Sequence, residues 1–510
     1  MSPRHIRRSA RLWLIGAVVA GGLVRVYLAW TASGVSRDGI DYLQIARKMA
    51  ADWHTGVEAD RQMGLSLLIR CVYPLIGLWP ADDAVIRWQW AGQLVSLVGG
   101  TACIPLVFRL GRWLHSWRAG LLAAWIWALL PDACRFSADV LTDMPSLALT
   151  LAGLTLAMTG LRMRSAGRLF GAGTLAGAAY VVRAEAAALA AVATLLVLCR
   201  RRTGSLRRLL TALAPVAGFT VCGGPYIWLE GGEVFSEKPG LLRVPLRADS
   251  GGPALLLGQS TAASAATDAL VPVIDLLAKL SNSLNGVWLV LGAAYLLLPA
   301  RRRLRRAWLA APLLLWAVHA AACLWIDRTH GYLSRRHVML LDVGIVILAA
   351  ATLSYARIRL LPLAKGYWRA VAARADAIVL AAVVLCLFPR LVRDINDGRW
   401  YIRDAARYLR AEYRGRPPPV VFAQYGWVPF YAGFEDWIEH RDPTSFRRQR
   451  RFAEADLAIV DIRSPLPPVI AVGKNVRVQL MEMARFLDDE NRRGTLIYRV
   501  ELLREHRSRP

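Results

Sequence analysis

The chain has 510 residues, 55% of them hydrophobic and 19 of them tryptophan, with a mean hydropathy of +0.35. That composition excludes an ordinary soluble domain and indicates a membrane protein with many spans. The net charge of +27, from 64 basic and 37 acidic residues, does not indicate nucleic acid. Its arginines sit in short loops between apolar runs, where cytoplasmic loops collect basic residues and face anionic lipid headgroups.

Arginines at positions 4, 7, 8 and 11 precede an apolar run over 12–30. Many spans follow it and it is near the ~20 residues a span needs, so it reads as a retained anchor rather than a cleaved signal peptide. Arg25, late in this run, is expected to snorkel or to face a cavity. Further spans are expected at 85–108, 119–136, 143–161, 168–182, 186–199, 207–229, 283–299, 307–326, 338–355 and 376–391, making about eleven. Residues 64–79 are apolar but interrupted by Arg70, and read as interfacial or re-entrant. With the N-terminus inside, eleven spans put the Arg-rich loops near 109–118, 162–168, 200–208, 301–306 and 357–374 on the cytoplasmic side. The same parity places 35–63, 131–142, the turn at 183–185, 230–282, 327–337 and the tail on the outer face.

The tail from about 392 to 510 is charged and has no run long enough to span. It alternates an expected helix at 400–413, strands at 419–423 and 457–461, a helix at 478–489 and a strand at 495–502. That pattern predicts a small α/β domain outside the membrane. The domain division is therefore 1–391 and 392–510. The seven cysteines never form a CxxC pair and mostly lie in or beside apolar runs, so no disulfide framework or metal site stands out.

The polar residues of the expected outer face form the candidate site. In 36–49 the apolar spacing starts a short amphipathic helix near Asp38, with Asp38 and Asp41 at i and i+3 on one side. This stretch alone leaves open whether they are cap and solvated-face aspartates or a pair held at the membrane surface for chemistry. The next outer loop carries Asp132, Arg135, Asp139 and Asp143, the last directly before an apolar span. Arg183 and Glu185 share a tight turn within apolar sequence, which is also compatible with a structural ion pair. Glu237 and Lys238 lie in the long loop, and Arg328, His330, Arg335, Arg336 and His337 follow before a late span. Carboxylates and guanidinium groups recurring on one face of a bundle point to a shared cavity. A site handling a lipid phosphate needs cations for the phosphate and a carboxylate for a hydroxyl.

In this order the motifs resemble the polyprenyl-phosphate-sugar-dependent membrane glycosyltransferases of the GT-C fold, in particular glycosyltransferase family 39, the aminoarabinose transferases and the protein O-mannosyltransferases. Asp38-x-x-x-Tyr42-x-x-Ile45-Ala46 resembles the first-loop pattern, whose leading acidic residue is catalytic, with Gly39 where the family often has Glu. Asp139-Val140-Leu141-Thr142-Asp143-Met144-Pro145 resembles the second acidic motif. Val182-Arg183-Ala184-Glu185 is similar to an Arg-Pro-Glu turn with Ala for Pro. Arg336-His337-Val338-Met339-Leu340 is similar to an Arg-Tyr element with His for Tyr. The chain departs from the family's Arg-Pro-Pro pattern at Arg61-Gln62-Met63-Gly64-Leu65, which loosens any transfer of substrate contacts to Arg61.

The resemblance implies sugar transfer, with inversion, from a polyprenyl-phosphate donor to a lipid, glycan or protein acceptor on the outer face of the cytoplasmic membrane. It implies catalytic roles for Asp38 and Asp143, and substrate binding by Asp41, Tyr42, Asp139, Arg183, Glu185, Lys238, Arg335, Arg336 and His337. A divalent ion is compatible with this chemistry but not required, since the leaving group carries a single phosphate. Membrane lipids are the other expected partner, and nucleic acid is not one. The rival readings are a transporter or flippase of a lipid-linked substrate, and a non-catalytic assembly scaffold.

Overall fold

The computed structural model describes residues 3–57, 59, 61–77, 83–199, 205–229, 262–298, 310–362, 365, 371, 374–393, 395, 399–440, 446, 449–472, 476–488 and 492–503. Lys238 and Glu237 lie outside the described residues. In chain order the helices of the membrane part are α1 (Pro3–Thr31), α2 (Arg37–Ala51), α3 (Gly64–Ile76), α4 (Ala84–Leu114), α5 (Trp117–Ala128), α6 (Pro131–Ala138), α7 (Asp143–Met163), α8 (Ala166–Val182), α9 (Ala187–Leu198), α10 (Ser205–Leu229), α11 (Ala262–Ser283), α12 (Val287–Leu297), α13 (Ala310–His330), α14 (Met339–Leu360) and α15 (Ala375–Leu391).

Six helices among the described residues are long and apolar enough to cross a membrane, and up to eight spans result if two bent pairs each count as one. The pairs are α5–α6, bent by 56°, and the end of α11 with α12, bent by 113°. The expected span at 119–136 is thus broken, and most of the loop expected at 131–142 is helix α6. Likewise, residues 262–282, expected as loop, are helical and lead into the sharp corner that the span at 283–299 contains. The remaining expected spans, at 168–182, 186–199 and 376–391, are helices of 17, 12 and 17 residues. Residues 64–76 form the short apolar helix α3.

Arg25 explains how the first break is tolerated. It is fully buried, and neither snorkels nor lines the candidate cleft described below. Its guanidinium donates to the carbonyls of Ala128 (2.9 Å) and Trp127 (3.4 Å) at the end of α5, and to Gly21 O (2.8 Å) and Ser137 Oγ (3.1 Å). The last carbonyls of a helix have no intrahelical donor, and lipid offers none. A buried guanidinium supplies them, while Pro131 at the first turn of α6 needs no N–H partner. Around this break the main apolar core joins α4, α5, α7, α8, α9, α13 and α14 through residues such as Leu110, Trp127, Met144, Leu154 and Leu189.

The tail contains helix α16 (Trp400–Glu412), helix α17 (Trp427–Ala432) and a six-stranded mixed sheet. Its strands are β1 (Val421–Ala423), β2 (Ile438–Glu439), β3 (Leu457–Asp461), β4 (Val469–Val472), β5 (Val476–Leu487) and β6 (Gly494–Leu503), in the order β2-β1-β3-β6-β5-β4. The first three are parallel, and β3, β6, β5 and β4 pair antiparallel. The helix expected at 478–489 is strand β5. Its start alternates, with Val478 and Leu480 buried and Arg477 and Gln479 exposed. Pairing with β6 on one side and β4 on the other overrides the helix preference of its Leu, Met and Glu residues.

The tail packs directly on the first loop. Ile40, Leu43 and Ala46 of α2 and Val85 and Trp88 of α4 share one apolar core with Ile402, Leu409, Val421, Phe430 and Tyr431. Hydrogen bonds reinforce it: Val35 N donates to Tyr431 Oη (3.1 Å), Tyr431 Oη to Gln89 Oε1 (3.0 Å), and Trp427 Nε1 to Val35 O (3.2 Å).

Candidate active site

The candidate site is assembled from four segments distant in sequence. Helix α2 starts after Ser36, whose hydroxyl accepts from Gly39 N, so Ser36 rather than an aspartate is its N-cap. Ser36 N in turn donates to Asp139 Oδ1 at 2.9 Å, and Val140 N donates to the same oxygen at 2.7 Å. Asp139 therefore ties the first loop to the turn before α7 and does not line the cleft. A Cβ at Gly39 would lie 3.0 Å from Val140 O and 3.1 Å from Val140 Cβ. That close approach accounts for glycine at this position and leaves little room for a glutamate.

With the loop so placed, Asp38 stands between two guanidinium groups: Arg61 Nη2 at 3.0 Å and Arg336 Nη2 at 2.6 Å. Arg61 also reaches Asp41 at 2.6 Å and lies over the Tyr42 ring, 5.5 Å from its centroid. Burial alone would raise the Asp38 carboxyl, but the charges and hydrogen bonds of Arg336 and Arg61 outweigh it and hold it below its ordinary value. For Asp41 burial wins over the Arg61 charge, with Glu439 adding to it, and the carboxyl is raised. Tyr42 is buried, and its carbonyl accepts from Ser66 Oγ at 2.9 Å.

The second half of the site surrounds Arg183, in the break between α8 and α9. Its guanidinium pairs with Asp143 at the start of α7, and with Glu185 at 2.8 and 3.3 Å. Asp143 is nearly inaccessible, and its Oδ2 has no hydrogen-bond partner among the described residues. A buried carboxylate oxygen without a donor is costly, so it marks a place where a donor is expected to arrive. The close approach that sets this corner is Gly64, where a Cβ would lie 2.5 Å from Val181 O; α3 thereby starts against the last turn of α8.

Asp143, Arg183, Glu185, Arg336 and His337 line one cleft with about 530 Å³ of open space, completed by apolar residues of α13 and α14 and by His319. His319 Nε2 lies 2.7 Å from His337 O. Burial, with the Arg183 charge adding to it, pushes His337 down to about 4. Asp38 does not line the cleft itself; Arg336 does, and carries the connection between the two halves. Arg335 turns away to Asp132 at 3.1 Å. Two residues stand out more in space than in sequence. Arg61, whose motif departs from the family pattern, bridges both first-loop aspartates, and His319, the one histidine in the apolar run at 307–326, lines the cleft. Among the described residues no group of three or more His, Cys, Asp or Glu side chains is placed to hold a metal ion.

The dolichyl-phosphate-mannose-protein mannosyltransferase family model matches residues 87–228, which include Asp139, Asp143, Arg183 and Glu185 but neither Asp38 nor Arg336. No curated protein sequence matches the chain. Among solved structures, ArnT from Cupriavidus metallidurans in the apo state is similar with a TM-score of 0.61 at 14% identity, over 96% of this chain and 98% of that one. The same protein bound to undecaprenyl phosphate has a TM-score of 0.59 at 14% identity, over 95% and 97%. The Archaeoglobus fulgidus oligosaccharyltransferase in complex with Zn and sulfate has a TM-score of 0.59 at 15% identity, over 88% of this chain and 68% of that one. The likeness extends beyond the spans into the tail, and the chain therefore has the GT-C fold of the membrane glycosyltransferases.

Proposed function

We propose that the chain is a membrane glycosyltransferase that moves a hexose or pentose from a polyprenyl-phosphate donor to a hydroxyl of a lipid, glycan or protein acceptor, with inversion. The observation that carries this reading is the pairing of a cleft-lining cation, Arg336, with the first-loop carboxylate Asp38 beside an unsatisfied buried carboxylate oxygen on Asp143. The undecaprenyl phosphate bound by ArnT supports the donor class.

In this mechanism the acceptor oxygen attacks the anomeric carbon while the bond from that carbon to the phosphate oxygen breaks. The departing phosphate gains charge, which Arg336 and Arg183 stabilise more strongly in a desolvated cleft than in water. When Arg336 turns to the phosphate it leaves Asp38, whose basicity rises as that partner departs. Asp38 then takes the acceptor proton as general base, a contribution of about 10²–10⁴-fold. The free Oδ2 of Asp143 receives a hydroxyl of the bound sugar. Asp41, Tyr42 and Asp139 position Asp38 and its loop, Glu185 and His337 shape the cleft around Arg183, and Lys238 assists phosphate binding, while Arg335, paired with Asp132, takes no part in it. Residues 1–391 form the membrane transferase unit and 392–510 an extracytoplasmic α/β unit, with the N-terminus cytoplasmic and the site on the outer face of the inner, cytoplasmic membrane.

The test is sugar transfer by the purified full chain in proteoliposomes supplied with a labelled polyprenyl-phosphate sugar and a mixed acceptor pool. Label appearing on an acceptor, lost in Asp38→Asn and Asp143→Ala, supports the reading. Movement of intact donor across the bilayer without transfer would instead support a flippase.

A further inference from the structure

A second crevice lies in the tail, at the carboxyl ends of the parallel strands β1 and β3, with about 330 Å³ of open space. After β1 the chain crosses to β2 on one side, and after β3 it continues to the strands on the other. In open α/β sheets the gap between two such strands is where ligands bind, because the connections diverge and leave the strand ends uncovered. Gln424 follows β1, Asp461 ends β3, and Thr495 opposite it opens β6. The rings of Tyr401, Tyr425 and Trp427 complete the wall.

The lining carries a specific chemistry. Tyr425 and Trp427 sit 5.2 Å apart at a 45° tilt, so their faces form a bent aromatic surface. Asp461 is held in place by Arg463, whose amide and guanidinium donate to its carboxylate at 2.9–3.0 Å. Aromatic faces pack against the C–H face of a sugar ring, while a fixed carboxylate and tyrosine hydroxyls accept and donate to its hydroxyls. An apolar chain would leave these polar groups unpaired.

The crevice also shares a wall with the first loop. The Arg37 guanidinium lies 5.8 Å from the Tyr425 ring centroid and pairs with Glu439, and Trp427 Nε1 holds Val35 O. Arg37 directly precedes Asp38.

We propose that this crevice is a saccharide-binding subsite that takes a sugar ring of the acceptor and presents the acceptor to the first loop. The acceptor assignment rests on the transferase reading above; the binding of a sugar ring does not.

The experiment is saturation-transfer NMR on the full chain in lipid nanodiscs, with methyl β-D-glucopyranoside as the probe. Saturation of its ring C–H protons is expected at millimolar concentration, weakened about tenfold by Tyr425→Ser and by Asp461→Asn. Tyr425→Phe, which keeps the ring but not the hydroxyl, weakens the signal less than Tyr425→Ser does, and Asp143→Asn, in the other cleft, leaves it in place. Absence of saturation with the wild-type chain would overturn the proposal. So would a signal unchanged in both Tyr425→Ser and Asp461→Asn, or one lost only in Asp143→Asn. In the transfer assay, Asp461→Asn raises the acceptor KM about tenfold and leaves the donor KM unchanged; an unchanged acceptor KM would overturn the acceptor assignment. Because the NMR readout needs no turnover, glycoside binding by a chain that transfers no sugar would sink the transferase reading and leave the subsite standing.

Discussion

Replacing Asp38 by Asn tests the reasoning at its most exposed point. The substitution keeps the side chain's shape and one acceptor oxygen but removes the charge that Arg61 and Arg336 share, at 3.0 and 2.6 Å. Both pairs are partly open to solvent, with side-chain exposures of 27–31%. Screening therefore limits the stability lost to roughly 1–2 kcal/mol for the two together. The loss in turnover should be far larger, about 10²–10⁴-fold, because a neutral amide cannot take the acceptor proton. The two quantities separate cleanly: thermal unfolding of the purified chain gives the first, and transfer from a polyprenyl-phosphate sugar in proteoliposomes gives the second. A folded Asp38→Asn chain with turnover within about threefold of wild type, less than 1 kcal/mol in barrier height, would refute the role given to Asp38.

Three further outcomes follow from the same geometry. Asp143→Ala should abolish transfer while binding of the lipid donor survives, measured by retention of labelled donor on nanodiscs, because Arg183 keeps Glu185 as a partner. Gly64→Ala should destabilise the chain by about 1–3 kcal/mol, since the new Cβ meets the Val181 carbonyl at 2.5 Å and backbone yields little; unaltered melting would contradict the packing of α3 on α8. His337, held down to about 4, is neutral in the folded chain at neutral pH. A base whose folded value is depressed contributes stability that is fully present above its unfolded value of about 6.5 and is lost as pH falls toward the folded value. Melting followed from pH 7 to 4 should therefore decline, and His337→Gln should flatten that decline; equal slopes for the two chains would disprove it.

Most of the membrane architecture was legible along the chain because a bilayer imposes a one-dimensional rule. Apolar runs near the length of a span stand out in any reading, and each expected span coincides with helical structure. Breaks were only half legible. Pro131 is a local stop signal within 119–136, but the partner that makes the stop tolerable in apolar surroundings is Arg25, more than a hundred residues away. In the tail, residues 478–489 read locally as helix, and only the neighbours β4 and β6 make 476–487 a strand.

The candidate site divides in the same way. The sequence alone determined which residue types recur before and after the spans, and in what order, because spans force the loops between them toward a common surface. It also isolated the motifs around Asp38, Asp143, Arg183 and Arg336. Only the tertiary structure decided that Asp38 and Arg336, 298 positions apart, share a hydrogen bond, that Arg61 joins Asp38 to Asp41, and that Arg335 turns instead to Asp132. The physical reason is that hydropathy acts on each residue through its solvent, whereas an ion pair depends on where two distant helices cross.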